Sequence, residues 1–152
     1  IRWARCDIKA IALLPNVMMR QEAAEQGAFE GIWVHEGRAV EGAASNLFAV
    51  IDGEARTPPD GPRVLPGITR DVVLELAAEQ GLPVRTGTIT AEELGAAEEV
   101  WVTSSTKEIL PVTRLDGEPV GDGQPGPLFR TVLAGYREHL HHLGRGTPED
   151  TP

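Results

Sequence analysis

FEGIWVHEGRAVEGAASNLFAVIDGEART, residues 29–57, reads as an antiparallel meander. Residues 29–35 are rich in Ile, Val and aromatic side chains and end at Glu36-Gly37, a hairpin turn into 38–40. Residues 45–51 form the next strand, and Asp52-Gly53 turns it into 54–57. Short strands joined by tight turns pair with their sequence neighbours, so the middle of the chain is sheet.

Upstream, 10–14 is apolar and Pro15 stands where a helix can begin, because a first-turn residue needs no N–H. Helical spacing of Leu14, Val17, Met18, Gln21 and Ala24 predicts a helix over about 16–26, stopped by Gly27. Downstream, prolines at 58, 59, 62 and 66 make 57–66 a loop. Val72, Val73, Leu76 and Ala77 then mark a helix over 68–80, and 83–88 reads as a strand. Thr90-Ala91-Glu92-Glu93 fits a capping box that opens a short helix. Residues 99–103 form a buried strand, 110–115 another, and Asp116-Gly117 a further turn. A last helix over 127–143 carries Leu128, Val132, Leu133, Tyr136 and Leu140 on one face, and 144–152 reads as a disordered tail. The expected fold is α+β, a mixed and largely antiparallel sheet or distorted barrel with flanking helices. Neither a dinucleotide fingerprint nor a Walker loop follows any strand.

The composition suits one domain with a real core: 152 residues, 41% hydrophobic and 24% charged. A net charge of -9 argues against nucleic acid and anionic membrane as partners, since both demand clustered Lys and Arg. No apolar run is long enough for a membrane helix, and no signal-peptide pattern opens the chain. The single cysteine, Cys6, excludes an internal disulfide, suits a reducing cytoplasm and reads as a small packing residue. His35, His139, His141 and His142 lack the supporting ligands of a metal site. With no initiator Met and an abrupt start at Ile1-Arg2-Trp3, the chain is expected to be a fragment of a longer protein.

Three stretches could bind parts of one phosphorylated, ring-containing ligand. Leu65-Pro66-Gly67-Ile68-Thr69-Arg70 puts a glycine and a hydroxyl at a helix start, where free N–H groups and the helix dipole favour phosphate. Val102-Thr103-Ser104-Ser105-Thr106-Lys107 places four hydroxyl residues after a buried strand, which suits an anion equally well. Val40-Glu41-Gly42-Ala43-Ala44-Ser45-Asn46 offers a carboxylate beside small residues, where a flat ring could approach and a cationic ring nitrogen could pair with Glu41. Taken singly, these are also a helix cap, a polar loop and an exposed Glu. Lys9, in Arg5-Cys6-Asp7-Ile8-Lys9, is by itself a solvated charge.

In combination they carry a resemblance. CDIK (6–9), LLPNV (13–17), GAFE (27–30), EGAASNLF (41–48), LPGITRD (65–71), EVWVTSSTKEILPV (99–112) and Leu115-Asp116-Gly117, in that order, resemble the fold-type IV pyridoxal phosphate enzymes, the class IV aminotransferase family. The resemblance runs from Arg5 to about Tyr136. LLPNV and GAFE are more similar to the D-amino-acid aminotransferase branch than to the glycine-rich sequence expected after the lysine in branched-chain enzymes.

The resemblance implies pyridoxal 5'-phosphate as cofactor. Lys9 matches the Schiff-base lysine, which also shuttles a proton between the substrate Cα and the cofactor C4′. Glu41 matches the carboxylate that keeps the pyridine nitrogen protonated, so the ring can accept electrons. Leu65 matches the apolar residue against the ring face, Ile68 and Thr69 the phosphate-binding helix start, and Ser104 and Ser105 the second phosphate-binding turn. The family usually has a glycine at the first of those last two positions or a threonine at the second. Thr106 lies beside the place where some members bind a substrate carboxylate. A lysine that acts as a base must be neutral when it does so, and desolvation or a nearby positive charge favours that form.

The resemblance further implies amino acid and 2-oxo acid substrates and a homodimer when full length. It makes residues 1–143 the C-terminal cofactor-binding domain, and a smaller N-terminal domain that helps form the substrate pocket would precede them. Transamination of a D-amino acid or related donor is the leading reading. 4-Amino-4-deoxychorismate lyase, branched-chain aminotransferase and a fragment without catalysis of its own are the alternatives.

Overall fold

Three dipeptide turns set the hairpins. Glu36-Gly37, Asp52-Gly53 and Asp116-Gly117 each place both residues at positive φ: 50° and 73°, 53° and 73°, and 49° and 87°. Tight hairpins need this conformation because its twist matches that of the flanking strands. The structure, a computed structural model, describes residues 4–144. The tail expected to be disordered lies outside the described residues from 145 onward.

The elements in order are α1 (Leu14–Glu25), β1 (Ile32–His35), β2 (Arg38–Gly42), β3 (Asn46–Ile51), β4 (Glu54–Thr57), α2 (Ile68–Glu79), β5 (Val84–Thr86), β6 (Ile89–Thr90), α3 (Ala91–Gly95), β7 (Glu99–Ser104), β8 (Glu108–Val112), β9 (Arg114–Leu115), β10 (Glu118–Pro119) and α4 (Pro127–His142). Strands β1 to β4 pair antiparallel in sequence order, as the meander predicted. β7 adds antiparallel to β3 and carries β8 beyond it. Among the described residues the one parallel pair, β4 with β5, becomes possible because α2 supplies the crossover. The α+β expectation of a mixed, largely antiparallel sheet with flanking helices therefore holds.

Two strand expectations change. The strand expected over 83–88 stops at Thr86, and the chain then leaves β4 to pair β6 with β2 at Arg38↔Thr90 and Ala39↔Ile89. The strand expected over 110–115 starts earlier and divides. β8 stays on β7, while β9 turns away into a separate ribbon with β10, and the Thr113 carbonyl accepts from the Val120 N–H. Alternation in β3 explains its central place. Phe48 and Val50 face one core, with Trp101, Phe129 and Tyr136 beneath α2 and α4. Leu47 and Ala49 face another, with Ile89, Val100 and Val102. Phe48 stacks on Trp101 with ring centroids 5.4 Å apart. Burying a side chain of this size contributes about 1.5–3 kcal/mol. The capping box forms as expected: Thr90 Oγ1 accepts from the Glu93 N–H at 3.0 Å, and Glu93 Oε2 accepts from the Thr90 N–H at 2.8 Å.

Candidate active site

Where β2, β3 and β7 come together, the sheet end opens into a cavity of about 450 Å³. Five separated parts of the chain line it: the 6–10 segment, Leu13 and Asn16 at the start of α1, the end of β2 with the 43–45 turn and the start of β3, the 65–69 loop and helix start, and 103–105. Lys9, Glu41, Leu65, Ile68, Thr69, Ser104 and Ser105 all lie on its wall. Thr106 does not; it lines a smaller neighbouring pocket of about 60 Å³ together with Arg20 and Lys107.

Glu41 faces Asn46 across the β2–β3 pair, and only 5% of it is exposed. A buried carboxylate needs donors, and Glu41 Oε2 accepts from the Leu65 N–H at 2.8 Å and from Asn46 Nδ2 at a long 3.4 Å. Asn46 Nδ2 also donates to the Leu65 carbonyl at 2.7 Å. The carboxylate is thus held at the cavity wall, where it could accept a bond from a cationic ring nitrogen.

The α2 start could take an anion. Gly67 is its N-cap, with no side-chain cap bond, so first-turn N–H groups stay available. Thr69 is buried there, while Ile68 is 77% exposed. The loop leading to this turn is held by Arg70, which is 1% exposed. Its guanidinium donates to the Pro58 carbonyl at 3.0 Å and to Thr57 Oγ1 at 3.3 Å, and pairs with Asp71 at 2.8 Å and Asp60 at 3.0 Å. At the second turn, Ser104 Oγ accepts from the Lys107 N–H at 3.2 Å. The Thr103 hydroxyl is buried there without a protein partner.

Lys9 follows a turn in which the Ile8 N–H donates to the Arg5 carbonyl. Cys6, buried as a packing residue should be, fastens this segment by donating its N–H to the Pro62 carbonyl at 2.7 Å. Beside it Arg5 pairs with Asp7 at 2.7 Å, which lowers the Asp7 carboxyl below its ordinary value and raises the Arg5 guanidinium. The described residues leave Lys9 exposed, so they do not supply the burial expected around a base.

The sequence reading overlooked Asn46 and Arg70. Asn46 was visible inside EGAASN as a polar residue at a strand start, but its partners lie in the 65–67 loop. Glu30 was likewise missed; its carboxylate accepts from the Ala44 N–H and from the Ser45 hydroxyl, which tightens the 43–45 turn. Among the described residues no cluster of His, Cys, Asp or Glu could hold a metal, and no helix is long and apolar enough to cross a membrane.

Residues 1–115 match the family described as amino-transferase class IV. The chain is 45% identical over 140 residues to the D-alanine aminotransferase of Bacillus licheniformis, covering 92% of this chain and 50% of that protein. It is 42% identical over 141 residues to the D-alanine aminotransferase of Staphylococcus aureus strain COL, again over 92% and 50%. Among solved structures it is similar to the branched-chain amino acid aminotransferase from Thermobaculum terrenum in its PLP-form. There the TM-score is 0.85 and identity 32%, over 93% of this chain and 47% of that one. The Escherichia coli branched-chain amino acid aminotransferase gives 0.80 and 33%, over 99% and 54%. The chain spans about half the length of the curated relatives it matches.

Proposed function

The chain belongs to the class IV aminotransferases, and from that premise we propose that it is the cofactor-binding half of an enzyme that transfers an amino group between a D-amino acid and a 2-oxo acid, using pyridoxal 5'-phosphate. The convergence of Lys9, Glu41, Leu65, Ile68, Thr69, Ser104 and Ser105 on one cavity carries this reading. The site fits the cofactor on its own terms. Its volume lies within the range of cofactor pockets, a buried carboxylate is fixed at one wall, and an uncapped helix start stands at another.

When bound, the cofactor supplies a protonated pyridine ring that accepts the electrons left when the substrate Cα loses its proton. Glu41 would hold the proton on the ring nitrogen, and Leu65 would pack against the ring. The N–H groups and hydroxyl of Ile68 and Thr69, with Ser104 and Ser105, would hold the phosphate. Lys9 would hold the cofactor and, as a neutral amine, would act as the base that moves the proton at the substrate Cα. Relatives at 45% and 42% identity are named D-alanine aminotransferases, whereas the branched-chain structures stand at 32% and 33%, which supports the D-amino-acid branch. Residues 1–143 form the C-terminal domain in this reading, and a smaller N-terminal domain completes the substrate pocket. The full-length protein is a homodimer in the cytoplasm.

Borohydride reduction of the full-length protein with pyridoxal phosphate tests the assignment, because Lys9 and Lys107 are the two lysines of this chain. A pyridoxyl label on Lys9 is expected, and a label elsewhere overturns the role of Lys9. Incubation with D-alanine and 2-oxoglutarate should yield glutamate. Release of 4-aminobenzoate and pyruvate from aminodeoxychorismate would indicate a lyase, and activity with L-leucine alone would indicate the branched-chain branch. Glu41→Gln should lower kcat on the order of 10²-fold with little change in cofactor affinity.

A further inference from the structure

We propose that Asn46 keys the three parts of the cofactor cradle to one another, a positioning role that rests on the reading of this cavity as a pyridoxal phosphate site. Asn46 opens β3 at the point where three strands meet. It pairs with Glu41 of β2 on one side and Thr103 of β7 on the other, so its backbone places both the carboxylate and the strand end that leads into Ser104. Its side chain, 6% exposed, reaches the third part, the 65–67 loop. There Nδ2 donates to the Leu65 carbonyl at 2.7 Å and leans on Glu41 Oε2 at 3.4 Å, while the Leu65 N–H donates to that same carboxylate oxygen at 2.8 Å. The amide oxygen occupies the space a side chain at Gly67 would need, since a Cβ there would lie 2.0 Å from Asn46 Oδ1. Gly67 has an ordinary φ of -83°, so close approach rather than backbone conformation is what calls for glycine. The ring-nitrogen partner, the ring-face residue and the phosphate turn thus share one side chain as their common reference.

An amide suits this post because it can donate toward two acceptors and still present an oxygen to Gly67. Asn46→Asp keeps the shape but turns an acceptor toward the Leu65 carbonyl and Glu41, and only its protonated form can donate. The affinity of the full-length protein for pyridoxal phosphate, measured by equilibrium dialysis for wild type and Asn46→Asp at matched pH, separates keying from packing. At about pH 8 the variant is expected to bind at least tenfold more weakly than wild type, and the ratio should shrink toward about pH 5.5 as the new carboxyl takes up a proton. Equal affinities, or a ratio that does not change with pH, overturn the proposal. Wild-type protein that takes no borohydride-fixed label on Lys9 overturns the cofactor reading itself, and this proposal with it.

If Asn46→Asp does not fold, Gly67→Ala, Asn46→Ala and the double variant carry the test. Gly67→Ala alone should weaken cofactor binding by displacing Asn46, and the double variant should bind no more weakly than Asn46→Ala. Additive losses would show that the two residues act separately and would overturn the keying role.

Discussion

Helices α1 and α4 begin alike and end up in opposite circumstances. Both carry a proline in the first turn, lack a side-chain N-cap and show apolar residues at helical spacing. On α4, Phe129, Val132, Tyr136 and Leu140 are buried in the core beneath the sheet. Its start is held by Glu99 of β7, itself buried, whose two oxygens accept from the Leu128 and Phe129 N–H groups at 3.0 and 2.8 Å. On α1, Leu14, Val17 and Met18 are 68%, 63% and 60% exposed in the order Leu14, Met18, Val17, and Ala23 is its buried residue. A polar contact, Asn16 Nδ2 donating to the Ala43 carbonyl at 2.7 Å, ties α1 to the cavity wall. Apolar spacing therefore defines a helix face without saying what covers it. The half of the molecule behind the sheet is held by packing, and the cavity half by hydrogen bonds between loops.

That contrast can be broken in four ways. Phe129→Ala should have the largest effect, a loss of about 3–5 kcal/mol in denaturant unfolding, because it empties a packed site beside Trp101. A loss below 1 kcal/mol would mean that α4 is not anchored by its buried face. Glu99→Ala should follow at about 2–3 kcal/mol, since it strips the carboxylate that caps the α4 start. Hydrogen exchange should then show early opening at 128–130, and unchanged protection there would contradict the cap.

Acid should act next. Hydrogen bonding and charge from Arg85 hold the Glu54 carboxyl below its ordinary value, and bonds from Thr90 with the charge of Arg56 do the same for Glu93. Both carboxyls are lowered in the folded state, so their contribution is present above the unfolded value of about 4.3 and disappears as pH falls through the folded values. Stability measured from pH 6 downward should decline from about pH 5, and Arg85→Ala should remove the part due to Glu54. A decline of the same size in that variant would place the acid sensitivity elsewhere. The smallest effect belongs to Val17→Ser, expected to change the stability of this chain by no more than about 0.5 kcal/mol because the side chain is already exposed. A loss like that of Phe129→Ala would erase the difference between the two helices.

Much of this was legible beforehand because it is local. The turns at 36–37, 52–53 and 116–117 were readable because a residue pair suffices to make them, and the capping box at Thr90 and Glu93 because its two bonds span three residues. The division at Gly87, where the chain leaves β4 for β2, was not readable, because the strand propensity of 83–90 is indifferent to which neighbour takes it. The burial of Arg70 was not readable, because the acceptors that hold its guanidinium lie in the 57–60 loop, about ten residues away in the chain.

By itself, the sequence determined the β1 to β4 meander and its turns, the starts of α2 and α4, the capping box and the motifs whose succession marks a class IV aminotransferase. These depend on backbone preference and on side chains close together in the chain. Only the tertiary structure decided that residues as distant as Lys9 and Ser105 face one cavity, that Asn46 stands between the parts of its wall, and that one apolar helix face is covered while the other is open. Those outcomes depend on which surfaces meet when the sheet closes, and burial and hydrogen-bond partners exist only once they have met.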